Sequence, residues 1–426
     1  MLPMVLFVTL MLLFLANMPI ALAIGMASLA ALWLHGDLPL MMVIQRLYAG
    51  VDSFPLMAVP LFMCAGAIME AGGISRRVVQ LAESIVGWLP GGLAAVAVVS
   101  AMFFAGISGS AAADTAAVGA ILIPSMIRRG YDKGFAAAVQ AAGGSIGVVI
   151  PPSIPMIIFG FLTGASIGKL FAAGILPGVL MGLSLMAIST ALSWKHRYST
   201  VVAFSWRRLA QCTWDAKWAL GAPVVILGGI LSGVFTATES AAAATFYALI
   251  VGLWVHRELH WKDLPGLFTR SAITASLVLF IIATASIFSW FMAIEDIPAR
   301  LAEGLLAVTT HPTTLLMLVN ALLLLAGTFV ETTASLILLV PVILPLVPTM
   351  GVDLTQLGVI VVVNLAIGML TPPLGICLVV SCTLAQCRLE KVITRVGPLL
   401  LVLLLDLVLI SLWSPLTLWL PSVLHP

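Results

Sequence analysis

The chain is 426 residues long, 62% apolar and only 8% charged, where soluble domains carry about a quarter charged residues. That composition excludes a soluble globular protein, and a net charge of +2 excludes a polyanion-binding surface, so nucleic acid is not an expected partner. Five cysteines (Cys64, Cys212, Cys377, Cys382 and Cys387) are an odd number without CxxC spacing and read as small buried hydrophobes.

The first basic residue is Arg46, so no positive n-region precedes the opening apolar stretch, which is expected to be retained. A bilayer core about 30 Å thick takes about 20 apolar residues per helix. In chain order the predicted spans are 2–16, 19–34 and 54–70, then an interfacial arm at 74–88, a helical hairpin at 91–127, a broken span at 135–163 and a span at 171–194. The arm sets Ile74, Val78, Leu81, Ile85 and Trp88 opposite Arg76, Arg77, Gln80 and Glu83. A polar, Trp-bearing linker over 195–217 is expected on the cytoplasmic side. The second series is 218–234, 237–255 and 271–292, an arm at 297–308, a hairpin at 312–347, a broken span at 356–386 and a last span at 397–420.

The two series look like copies. Asp114-Thr115 stands ahead of Pro124 as Glu331-Thr332 stands ahead of Pro341, at an offset of 217 residues. Gly147 with Pro151-Pro152 recurs as Gly368 with Pro372-Pro373 at an offset of 221, and Trp33 and His35 precede Trp254 and His256 by the same 221. Two structural repeats are expected, 1–200 and 218–426. Hairpins return to their own side, so each copy crosses the membrane five times, and that odd number inverts the second copy. The positive-inside rule agrees: with the linker in the cytoplasm, sixteen of the 19 basic residues fall there, only Arg46, Lys169 and Arg300 falling outside. Both termini are then periplasmic. The expected fold class is an all-α polytopic membrane protein with an inverted repeat, two re-entrant helical hairpins and two broken transmembrane helices.

Broken helices at the midplane of inverted repeats free backbone carbonyls and amides that can hold a cation and an anion. The candidate positions in the first copy are Ser108, Gly109, Ser110, Asp114 and Thr115 with Gly147, Pro151, Pro152 and Ser153. In the second they are Gly327, Thr328, Glu331 and Thr332, the first two forming the hairpin tip, with Asn364, Gly368, Thr371, Pro372 and Pro373. Hydroxyls and small residues suit oxygen ligation and close backbone approach. Asp114, Glu239, Glu331 and Asp406 are expected at membrane depth, and no Lys or Arg is. Thr236 to Glu239 and Thr328 to Glu331 also read as capping boxes. Asp406 lies mid-span in a Leu run and is expected to meet another helix or a protein partner. Without an intramembrane base, an anionic substrate would be held by helix N-termini, hydroxyls and bound cations, which favours Na+ coupling. A proton relay has less support, because His35, His196, His256, His260, His311 and His425 lie near span ends or in loops. Gly106-Ile107-Ser108-Gly109 matches the GxSG of rhomboid proteases, but no His sits at the depth that chemistry needs, so no enzyme is expected. His256 and His260 do not fit a zinc-protease pattern.

At these residues the chain resembles the large membrane subunit of tripartite ATP-independent periplasmic (TRAP) transporters. The likeness runs through Ala71-Gly72-Gly73, Trp88-Leu89-Pro90-Gly91-Gly92, Ser108-Gly109-Ser110, Ala113-Asp114-Thr115, Ile150-Pro151-Pro152-Ser153-Ile154-Pro155 and Phe159-Gly160. It continues in Gly233 to Glu239 and in Thr371-Pro372-Pro373-Leu374-Gly375. Ala237 replaces a frequent Pro, and Glu331 stands where Asp is frequent. The resemblance implies Na+-driven uptake of an organic acid (a C4-dicarboxylate, keto acid or sugar acid) across the inner membrane, with no cofactor beyond the coupling ion. It implies delivery by a periplasmic binding protein and a small four-helix membrane subunit as partner. It also implies an elevator motion of hairpins and broken helices against scaffold spans 1–70, 171–194, 218–292 and 397–420. The Na+ sites of the family map onto Ser108 to Ser110 with Gly147 to Ser153, and onto Gly327 to Thr332 with Gly368 to Pro373. The alternative of the same architecture is a stand-alone Na+- or H+-coupled anion symporter.

Overall fold

The computed structural model describes residues 2–36, 39, 41–198, 203–373 and 375–424. Leu374, His425 and positions 199–202 of the expected linker lie outside the described residues. Among the described residues there is no strand. The first half comprises α1 (Leu2–Leu15), α2 (Ile20–His35), α3 (Met41–Val51), α4 (Ala58–Ala71), α5 (Ile74–Val86), α6 (Gly92–Ser108), α7 (Ala111–Arg128), α8 (Lys133–Ser145), α9 (Ile154–Thr163) and α10 (Ile167–Lys195). The second comprises α11 (Trp206–Leu231), α12 (Ala237–Ile250), α13 (Leu264–Ile294), α14 (Ile297–Val308), α15 (Pro312–Phe329), α16 (Thr332–Ile343), α17 (Val347–Met350), α18 (Leu354–Gly368), α19 (Ile376–Ala385), α20 (Leu389–Leu412) and α21 (Pro415–Leu424). Nine helical stretches among the described residues are long and apolar enough to cross a membrane.

The helices gather into two bodies. In the first, α13 lies along α2, α3 and α4, α12 lies along α4, and α1 along α2. In the second, α8 and α18 form the axis: every residue from Gly134 to Ser145 and from Gln356 to Gly368 is buried, as expected of helices that are apolar or small all round. Around that axis pack α6, α7, α15, α19 and α20. The arm α5 bridges the bodies, lying between α6 and α11, and its Glu83 is paired with Arg208 of α11 at 3.0 Å.

Four expectations need correction. Residues 41–51, left between spans, form α3, because Asp52-Ser53 and Pro55 interrupt what α13 carries through as one helix of 31 residues. The spans at 171–194 and 397–420 were placed with the scaffold, yet α10 packs on α6, α18, α20 and α21, and α20 packs on α8. Gly174, Gly178 and Gly182 bring α10 close to that body: a Cβ there would lie 2.7 Å from the Val149 carbonyl oxygen, 2.4 Å from Ile150 and 2.2 Å from Met102. The last span is also two helices, α20 and α21, since Pro415 disfavours helical geometry at Ser414 and starts a new helix. Trp88 is not on the buried face of the arm; it is half exposed, and its indole N–H donates to the Ile85 carbonyl at 2.8 Å.

Candidate substrate and cation site

The first hairpin turns through Gly109 and Ser110, with Gly109 at φ 64° in the left-handed region that glycine tolerates. This is the predicted tip. The Ser110 amide donates to Ser108 Oγ at 3.1 Å, and Ser108 Oγ in turn bonds one oxygen of the Asp114 carboxylate. Asp114 is wholly buried, and its Oδ2 has no hydrogen-bond partner. None of the ion pairs among the described residues involves it. Gly147 lies directly opposite: a Cβ there would stand 1.9 Å from Asp114 Oδ2. Gly144 plays the same part for Thr115, whose hydroxyl donates to the Ala111 carbonyl at 2.8 Å.

Beyond Gly147 the helix stops, and α9 restarts after Pro151-Pro152, whose peptide bond is cis. Ser153 caps the restart, accepting from the Met156 amide at 3.3 Å and donating to the Val148 carbonyl. Tip and break touch. The Ile154 amide donates to the Gly109 carbonyl at 3.4 Å, and a Cβ on Gly109 would meet the Pro152 carbonyl oxygen at 2.6 Å.

The second pair meets in the same manner. A Cβ on Gly368 would lie 2.6–2.8 Å from backbone atoms of Gly327. The α18–α19 break carries Thr371, whose hydroxyl donates to the Ile367 carbonyl at 2.8 Å, and the cis Pro372-Pro373 bond. The tip, however, is not at Gly327 and Thr328, which belong to the last turn of α15; the chain turns at Val330 and Glu331. Thr328 forms no capping box either, since its hydroxyl donates to the Leu324 carbonyl at 2.8 Å. Glu331 is itself the cap of α16, accepting from the Thr333 amide at 2.9 Å and the Ala334 amide at 3.4 Å. Next to it the buried Thr332 hydroxyl has no partner. The box at Thr236 and Glu239 does form, with bonds of 2.8 and 3.3 Å.

The register of the repeat follows from these helix starts. α7 begins at Ala111 and α16 at Thr332, α8 at Lys133 and α18 at Leu354, each pair 221 residues apart like the proline breaks. Glu331 therefore matches Ser110, and Asp114 matches Ser335. The carboxylate-Thr match at 217 is out of register by about one helical turn, a slip that leaves apolar periodicity nearly unchanged. Each copy thus brings a carboxylate to its tip, Asp114 from inside α7 and Glu331 as the cap of α16, and only Asp114 keeps an oxygen without a partner.

Asn364, one turn before Gly368, donates to Asn320 Oδ1 at 3.0 Å and to the Ile360 carbonyl at 2.8 Å, while Asn320 donates to Ser411 at 2.9 Å. The side-chain carbonyl oxygen of Asn364 is buried and unpartnered. Asn320 was not foreseen, nor was Gln140, a fully buried α8 residue with neither amide atom paired. Asp406 meets another helix, accepting from Ser184 of α10. The two half-sites join where α19 packs on α7 and α8 and where α16 packs on α9.

A cavity of about 650 Å³ opens between the first tip and the other body, walled by Ser108 and Ser110 on one side and by Glu70, Arg270 and Thr274 on the other. Arg270, which is not among the expected site residues, lines this cavity. α13 starts at Leu264, so Arg270 lies about 9 Å along the helix, not before it.

The profile described as "Tripartite ATP-independent periplasmic transporter, DctM component" matches residues 7–416. This chain belongs to that family. The large permease is 44% identical over 400 residues to the isethionate TRAP transporter permease protein DctMQ of Oleidesulfovibrio alaskensis, covering 94% of this chain and 63% of the relative's length. It is 38% identical to the 2,3-diketo-L-gulonate TRAP transporter large permease protein YiaN of Escherichia coli over 91% of each chain. It is 37% identical to the sialic acid TRAP transporter large permease protein SiaM of Vibrio cholerae over 96% of each. The Alcanivorax borkumensis YdaH transporter superposes with a TM-score of 0.64 over 88% of each chain at 16% identity, a likeness of fold alone. The permease is thus a multi-pass membrane transport protein and not an enzyme.

Proposed function

We propose that this permease imports a small organic acid into the cell across the inner membrane, driven by Na+. The acid is of the kind named for its relatives (isethionate, a keto or sugar acid, or a C4-dicarboxylate). The observation that carries the reading is the unpartnered oxygen of the buried Asp114, faced by Gly147 and beside Ser108 and Ser110. A buried carboxylate without a counter-ion is costly unless it takes a proton or a cation, and the oxygens around it suit Na+. A second cation would sit among Gly327, Thr328, Gly368 and Thr371, and the anion near both tips. The hairpins are re-entrant, and both termini face the periplasm. The body built on α8 and α18, including α10 and α20, moves as an elevator against α1–α4 and α11–α13, with α5 and α14 as arms. A small four-helix subunit braces the fixed body, and a periplasmic binding protein delivers the acid.

The test is uptake of labelled acid into proteoliposomes holding the permease and its small subunit. Uptake that needs both an inward Na+ gradient and the binding protein supports the reading. Uptake without Na+ refutes the coupling, and uptake without the binding protein indicates a stand-alone symporter.

A further inference from the structure

We infer that Arg270, carried by the fixed body, is an anion anchor at the first hairpin tip, and that with Glu70 it selects a monoanion bearing a hydroxyl over a dianion. The inference rests on the reading of the permease as an organic-acid importer and deepens it. Both side chains line the cavity that faces Ser108 and Ser110. Among the described residues the guanidinium and the Glu70 carboxylate form no ion pair, although they lie within electrostatic reach of each other.

Both side chains are exposed toward the cavity rather than buried in packing, so the guanidinium is open to an anion that enters it. The planar fork of arginine matches a carboxylate or sulfonate with two parallel hydrogen bonds. Across the cavity the tip offers hydroxyls, Ser108 and Ser110, which suit a hydroxyl on the other end of the ligand. Glu70 supplies the discrimination, because a second carboxylate would lie in its field with no second base to neutralise it. The anchor and the serines belong to different bodies, so a ligand bridges them only while the tip lies against α4 and α13. Arg270 therefore acts at one end of the transport cycle.

The experiment uses the permease with its small subunit in nanodiscs containing Na+, and reads thermal stabilisation by isethionate, a hydroxylated monoanion, and by succinate, a dianion. The wild type is expected to be half-saturated by isethionate at a lower concentration than by succinate. Arg270→Gln should raise the isethionate concentration needed by about tenfold or more, Arg270→Lys by less, and Glu70→Gln should narrow the gap to succinate. An Arg270→Gln or Arg270→Lys protein saturating like the wild type, a Glu70→Gln protein with unchanged preference, or a wild type stabilised by neither acid overturns the inference. Na+-driven uptake by the wild type is measured alongside: its absence strikes the transport reading, whereas normal wild-type uptake with unaltered Arg270 variants strikes the anchor alone.

Discussion

Replacing Gly147 by alanine tests the geometry around Asp114 most directly. The added methyl would stand 1.9 Å from Asp114 Oδ2 and 2.8 Å from its carboxyl carbon, so the carboxylate must swing away and release Ser108. Loss of a hydrogen bond to a charged group costs about 1.5–3 kcal/mol, and forcing a methyl into a packed interior about 1–3 kcal/mol. Together these predict roughly 2.5–6 kcal/mol, read as a lower unfolding temperature and weakened Na+ dependence of uptake. The cycle with Asp114→Ala isolates the cause. Without the carboxylate the two closest contacts of the new methyl are gone and the Cβ of residue 114 remains at 3.3 Å, so the two substitutions should couple by about 2 kcal/mol or more, well above the ~0.5 kcal/mol of independent sites. Gly304→Ala is the control, since a Cβ there meets nothing within 4 Å and an alanine in mid-helix should stabilise by about 0.5–1 kcal/mol. Additive effects of Gly147→Ala and Asp114→Ala, or a Gly147→Ala protein with wild-type Na+ dependence, would refute the reasoning.

Gly368→Ala should abolish uptake, because backbone of Gly327 lies 2.6–2.8 Å from the added atom, whereas Gly327→Ala, whose nearest neighbour is at 3.2 Å, should retain part of it; equal rates would contradict the tip-to-break contact. Glu331→Ser is expected to keep near-wild-type stability and Na+ affinity and Glu331→Ala to lose about 0.5–2 kcal/mol, as for a helix cap; a collapse of Na+ affinity in the serine variant would mark Glu331 as an ion ligand instead. Ser184→Ala leaves the Asp406 carboxyl without its partner and should cost about 1–3 kcal/mol in thermal unfolding. His256 accounts for one acid-sensitive contribution. Burial holds its pKa below the usual value, so the folded state prefers the neutral ring, and stability falls as pH drops below about 6.5, where only the unfolded chain takes the proton. His256→Asn should flatten that part of a Tm-against-pH curve.

Much of this fold is legible because the breaks are written in residues with few conformational options. Pro151-Pro152 and Pro372-Pro373 end helices wherever they fall, and Gly109 marks a left-handed turn. What sequence patterning missed depends on contacts made in three dimensions. The glycines at 174, 178 and 182 form a visible stripe, but which body they close on depends on Ile150 and Met102, distant in sequence. Asp114 and Glu331 look alike in composition, and a one-turn slip preserves hydrophobic phase, so only the helix starts reveal that one lies inside its helix and the other before it. Arg270 escaped notice because polar residues near it end the continuous apolar run, while α13 itself begins at Leu264.

That one-turn difference means the likeness of the two halves stops at what each carboxylate is free to bind. The repeat preserves helix starts, breaks and close glycine approaches, yet the carboxylate at one tip keeps an oxygen without a partner while that at the other is committed to the amides of α16. A ligand entering between the helices would therefore meet an uncommitted oxygen in one half and an already engaged carboxylate in the other.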